Sequence, residues 1–133
     1  MTRLALALFA CLLAFPAQAQ DCHSWPLESV YDGDSVRATV NGESTRIRVM
    51  GLDTPEMPPR AKCEAEKAGA YAARDRLRAL SEGAAVTFCP DGKDRYGRTL
   101  AVMLIDGVDV AEILIAEGLA REYHGGRRQG WCG

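Results

Sequence analysis

The sequence has no C-x-x-C pair, and its only histidines are His23 and His124. Apart from His23 beside Cys22, neither lies near a cysteine, which argues against a zinc site. There is no excess of positive charge. Lys and Arg number 16 against 18 Asp and Glu, a formal net charge of −2. Attraction to a polyanion must therefore come from local clustering and not from the whole-molecule field. The N-terminal apolar run, Leu4–Phe15, covers about 12 residues, short of the roughly 20 that a spanning helix needs. Low-complexity tracts, internal repeats and linkers are also lacking, so the body of the chain reads as one unit.

That apolar run follows the short, positively charged Met1–Arg3 and precedes "AQA", Ala17–Ala19, a small-x-small cleavage pattern. Residues 1–19 thus read as a secretory signal peptide. The expected mature chain is 20–133, a single domain with a modest core, periplasmic or extracellular and without a membrane anchor. Loss of Arg3 and of no acid takes the net charge from −2 to −3. Four cysteines remain: Cys22, Cys63, Cys89 and Cys132. An even number in a small exported chain favours two disulfides, with three connectivities open.

In the body, Leu27–Tyr31, Ser35–Val40 and Thr45–Met50 are β-rich. Asn41–Gly42 between the last two is a strong hairpin signal, because both residues tolerate the positive φ of a type I′ turn. "YDGDS", Tyr31–Ser35, is a second tight turn, giving a three-strand meander. Cys63–Leu80 is rich in Ala, Glu, Arg and Leu, with Ala70, Ala73, Leu77 and Leu80 on one helical stripe and Gly83 as a stop. Ala84–Cys89 and Thr99–Ile105 read as strands. Asp109 and Glu112 form a capping-box pattern that opens a short helix through Glu117. The order β-β-β-α-β-β-α is that of a five-stranded OB-type barrel, a β-rich α+β fold.

The acids gather at turns and strand ends. Asp32 and Asp34 flank Gly33, and Asp53 and Glu56 follow the third strand. In a meander, the first turn and the exit of the third strand share one end of the sheet. Carboxylates meeting there repel one another unless a cation neutralises them, and hard oxygen ligands suit Ca²⁺ or Mg²⁺ better than zinc. Taken alone, "DGDS" is an ordinary Asp-rich turn. An EF-hand is excluded, because Val36 and Arg37 stand where such a loop needs an oxygen ligand and a glycine. Arg48 on the third strand and Arg98 at the end of "DRYGR" add guanidinium forks suited to phosphate oxygens.

In this order "DGDS", "RVMGLDTPE" and "DRYGRTLAVMLIDG", followed by "AEGLA", resemble the staphylococcal nuclease (thermonuclease) family over about Val30–Tyr123. The resemblance implies an OB-fold phosphodiesterase that cuts DNA and RNA with Ca²⁺. By motif position, Asp34, Asp53 and the Thr54 carbonyl resemble its calcium ligands, with Asp32 a nearby supporting acid. Glu56 resembles the acid that positions or deprotonates the attacking water, and Arg48 and Arg98 the phosphate-binding arginines. Tyr96, Arg95 and Tyr123 are substrate-contact candidates. A rigid turn at Pro55 would aim Glu56, leaving Asp53 to the metal.

If the first and fourth strands are neighbours, Cys22 lies near Cys89, which leaves Cys63 with Cys132. Arg60, Lys62, Lys93, Arg95, Arg127 and Arg128 are candidates for a groove that tracks a nucleic-acid strand. Expected partners are therefore DNA or RNA, with the protein a monomer. The alternative is a catalytically inactive OB-fold module that only binds nucleic acid. It would be expected to have lost one of Asp34, Asp53, Glu56, Arg48 or Arg98, and all five are present.

Overall fold

The computed structural model describes residues 21–133. The signal peptide expected over residues 1–19 lies outside the described residues. Strands β1 (Leu27–Asp32), β2 (Ser35–Val40) and β3 (Glu43–Val49) form the antiparallel meander. Asn41 and Gly42 take the positive φ values of 49° and 82° that a tight hairpin demands. After a break at Met50, β4 (Gly51–Asp53) leads into the acidic segment. Helix α1 (Glu64–Ser81) follows, then β5 (Val86–Lys93), β6 (Thr99–Ile105), β7 (Val108–Asp109), α2 (Val110–Ala116) and β8 (Arg121–Tyr123).

The main sheet runs β1-β2-β3-β6-β5, with β3 and β6 parallel and β7 added to β6. This mixed sheet with two helices is β-rich α+β and has the order of an OB-type sheet. Strands β4 and β8 form a separate antiparallel pair that sequence patterning does not reveal, since three residues carry no readable alternation. Another expectation is corrected. β1 and β5 stand at opposite ends of the strand order, and the segment ahead of β1 makes the contact instead. His23 and Phe88 form an isolated antiparallel bridge, with amide-to-carbonyl bonds of 2.7 and 2.8 Å. The register sets Cys22 opposite Cys89, and the two are disulfide-bonded; Cys63 is bonded to Cys132.

Alternation along the strands turns Ile47, Val49, Phe88, Met103 and Ile105 into one core. Leu77 of α1, and Val110 and Leu114 of α2, cover it. Each such side chain contributes about 1.5–3 kcal/mol when fully buried. α1 buries Glu66, Ala70, Ala73 and Leu77, one stripe at helical spacing. The small residues let α1 approach the site closely. Gly69 packs on Pro55, where an added Cβ would lie 3.0 Å from the ring. At Gly33 an added Cβ would lie 2.6 Å from Thr54 Cγ2 and 2.8 Å from Ala73 Cβ. The turn that carries Asp34 is therefore pressed between the Thr54 segment and the helix. Gly33→Ala should lower the unfolding free energy by about 1–3 kcal/mol in urea titrations, the usual cost of overpacking. A change within error would show that this approach is not tight.

Candidate active site

The acids Asp32, Asp34 and Asp53 come together at one end of the sheet and are buried, as are Thr54 and Arg48. Asp34 is the joint between three segments. Its N–H donates to Asp32 Oδ1 at 3.0 Å, and its carbonyl accepts from Val49 N–H at 2.8 Å. Its Oδ2 accepts from Thr54 N–H at 3.0 Å. The first turn, the end of β3 and the segment after β4 are thereby fixed to one another.

Arg48 lies between the acids. Its Nη2 is 3.5 Å from Asp34 Oδ2 and 3.9 Å from Asp53 Oδ1, while Nη1 donates to the Val49 carbonyl at 2.7 Å. The Tyr123 ring lies 5.8 Å away, against the same guanidinium. Arg98 joins through Ser35. Its Nε donates to Asp94 Oδ2 at 2.7 Å, its Nη1 reaches Ser35 Oγ at 3.5 Å, and that hydroxyl donates to Asp34 Oδ1 at 3.3 Å. Nη2 of Arg98 is not used in these contacts. Tyr96 is exposed and lies over both Arg98 and Arg95, at 5.7 and 5.0 Å. Arg95 is itself exposed, and its contact with Tyr96 is with another candidate for the substrate and not with the acids.

Glu56 is half-buried and follows the buried Pro55. Its partner is Arg128, whose Nη1 donates to Glu56 Oε1 at 2.8 Å and lies 3.5 Å from Asp53 Oδ1. In the sequence Arg128 reads only as a groove cation, because nothing local in "GGRRQGWCG" connects it to residue 56. The distant signal was cysteine pairing, which returns the tail to the start of α1.

The carboxylate chemistry shows what this arrangement requires. Burial and the charge of Asp34 push the Asp32 carboxyl up to about 8 from its ordinary 3.8. Asp53 is also raised, first by burial and then by Asp34, with Arg128, Arg48 and the Trp131 indole opposing. Thr54 Oγ1 and Asp53 Oδ1 are buried without a hydrogen bond, the latter facing Arg128 and Arg48 only at ion-pair distances of 3.5 and 3.9 Å. Unsatisfied buried oxygens beside repelling carboxylates suit a hard cation. Among the described residues, no three Asp, Glu, His or Cys side chains cluster tightly enough to hold a metal. Two carboxylates, Asp34 and Asp53, could hold a cation only with backbone and solvent oxygens completing the set. Ca²⁺ accepts such ligands readily.

Residues 46–130 match the family model described as staphylococcal nuclease homologue. The chain belongs to that family. The SPbeta prophage-derived endonuclease YokF of Bacillus subtilis is 34% identical over 97 residues, which are 71% of this chain and 32% of that protein. Endonuclease YncB of the same organism is 33% identical over 97 residues, 71% of this chain and 46% of that protein. The thermonuclease of Staphylococcus intermedius is 30% identical over 106 residues, 74% of this chain and 58% of that protein. The chain therefore spans between a third and three fifths of these relatives. The match to the family model begins within β3 and so includes Arg48, Asp53, Glu56 and Arg98, but not the "DGDS" turn.

The raised Asp32 gives a signed expectation for the metal-free protein. The folded state keeps its proton up to about 8, whereas the unfolded chain loses it near the ordinary 3.8. The folded state thus binds more protons in this window, and stability falls as pH rises through it. Asp32→Asn keeps Oδ1 as an acceptor and should flatten the fall. In chelator, the variant should gain on the wild type between about pH 5 and pH 8.5 in denaturant melts. Parallel curves would show that Asp32 ionises normally.

Proposed function

We propose that this protein hydrolyses phosphodiester bonds in DNA or RNA, using Ca²⁺, with Glu56 as general base and Arg48 and Arg98 holding the phosphate. The observation that carries the reading is the convergence of Asp34, Asp53 and Arg48 at one end of the sheet, with Arg98 and Glu56 linked to them, in a chain of this family. Relatives named as endonucleases and a thermonuclease support the reaction class.

Asp34 and Asp53 would hold the cation, with the Thr54 carbonyl as a further ligand and Asp32 supporting the turn. Bound Ca²⁺ would withdraw charge from a phosphate oxygen and offset the added charge at phosphorus. The remaining work falls to the chain. Arg48 and Arg98 orient the phosphate through charge-assisted bonds and match its oxygens. Glu56 accepts a proton from water as the oxygen attacks phosphorus. The opposite P–O bond breaks, and the leaving oxygen takes a proton from solvent. Arg98 acts mainly through charge, since a guanidinium holds its protons too tightly to be a good acid. Pro55, wedged against Gly69 of α1, limits the freedom of the residue beside it and so helps to aim Glu56. Tyr96, Arg95 and Tyr123 would line the approach of the nucleic-acid strand.

We further propose that residues 20–133 are the mature domain, exported after cleavage near Ala19 and monomeric. The two disulfides fit an oxidising compartment. Among the described residues no helix is long and apolar enough to cross a membrane.

The test is degradation of single-stranded DNA and RNA with Ca²⁺, with chelator, and by Glu56→Gln. Cleavage should require Ca²⁺ and should fall by roughly 10²-fold or more in the variant, the range for loss of a general base. An equally active variant would remove Glu56 from the mechanism. Binding without cleavage by the wild type would favour the inactive binding module.

A further inference from the structure

The C-terminal tail crosses the active-site end of the sheet and is pinned there at several points. β8 pairs with β4, with Arg121 opposite Asp53. Beyond it, Gly125 and Gly126 take positive φ and turn the chain back. Tyr123 Oη donates to the Gly126 carbonyl at 2.8 Å, and Arg121 Nη1 donates to the Gly130 carbonyl at 2.8 Å. The Arg121 guanidinium stacks on Trp131 at 3.8 Å, and Cys132 is bonded to Cys63. Arg128 lies between the pins at 126 and 130. The tail is closed without it, so its contact with Glu56 is not required for that closure.

That contact faces two ways. One nitrogen of Arg128 holds Glu56 and lies near Asp53, while the side chain remains 49% exposed. A guanidinium on Glu56 competes with the water that this acid would activate. The Arg128–Glu56 pair is partly open to solvent, and such pairs are weak and exchanged at little cost. A backbone phosphodiester offers the same fork two anionic oxygens at bidentate spacing.

We propose, on the hydrolase reading above, that Arg128 is a third phosphate-binding arginine of the active site, carried on the disulfide-pinned tail. It rests on Glu56 and Asp53 in the free protein and moves to a backbone phosphate oxygen when nucleic acid enters. Substrate arrival thereby uncovers Glu56. The tail supplies a substrate contact from outside the sheet that carries Arg48 and Arg98.

Steady-state cleavage and oligonucleotide binding test this. Arg128→Ala should raise KM about tenfold, with kcat falling by a smaller factor, and Arg128→Lys should recover part of KM. Binding of a single-stranded oligonucleotide, measured in the Glu56→Gln background with Ca²⁺ present, removes the option that Arg128 acts only as a counter-ion to Glu56. There, adding Arg128→Ala should reduce the slope of log K against log salt by about 0.7, the share of one phosphate contact on a single strand. An unchanged KM and slope would overturn the proposal. So would an increase in kcat/KM, the mark of a tail that only blocks Glu56. A wild-type protein that neither binds nor cleaves nucleic acid would overturn the hydrolase reading and this inference together. Cleavage by the wild type with an unaltered slope in the variant would overturn this inference alone.

Discussion

Asp34 receives the Val49 N–H on its carbonyl and the Thr54 N–H on its carboxylate, and its own N–H is taken up by Asp32. The turn between β1 and β2, the end of β3 and the exit of β4 are held together by this residue. The cost is that three carboxylates are buried close together, where the charge of Asp34 disfavours ionisation of Asp32 and Asp53. Arg48 offsets part of that repulsion from within the sheet, and Arg128 offsets part of it from the tail. Most of the site's features follow from this conflict. An acid cluster that served the fold alone would be better replaced by apolar or neutral groups.

The packing around the cluster serves the same end. Gly33 and Gly69 are small where α1 must come close, and the helix then presses on the turn bearing Asp34 and on Pro55 beside Glu56. Helix, turn and acidic segment form a rigid support that sets carboxylates in place before any ligand arrives. On the proposed hydrolysis, preorganisation of this kind would lower the reorganisation needed when charge develops at phosphorus. The disulfides tie down the two ends of the described chain. One staples the N-terminal segment to β5, and the other returns the tail to the start of α1.

Much of this was legible in the sequence where the signal is local. Asn41–Gly42 marked the hairpin because only certain residues accept its φ values. Ala70, Ala73 and Leu77 marked the buried face of α1 by spacing. Asp34, Asp53, Arg48 and Arg98 were marked by motif order, and the structure draws all four to one end of the sheet. What was not legible depends on non-local closure. The β4–β8 pair is too short to show a period. The link between the N-terminal segment and β5 is made by the His23–Phe88 bridge ahead of β1, which no strand propensity indicates. Arg128 reaches Glu56, 72 residues away, only because the tail is anchored by Trp131 and Cys132.

On the proposed function, the buried acids form a cation site, and a bound metal relieves their repulsion. Thermal or denaturant unfolding of wild type and Asp53→Asn, each with and without Ca²⁺, tests it most directly. The wild type should gain about 2.7 kcal/mol when Ca²⁺ reaches roughly 100 times its Kd. Asp53→Asn should be the more stable protein in chelator, because one repelling charge is gone, and should gain little from Ca²⁺. A wild type indifferent to Ca²⁺, or a variant stabilised by it as strongly as the wild type, would rule out a cation site that includes Asp53.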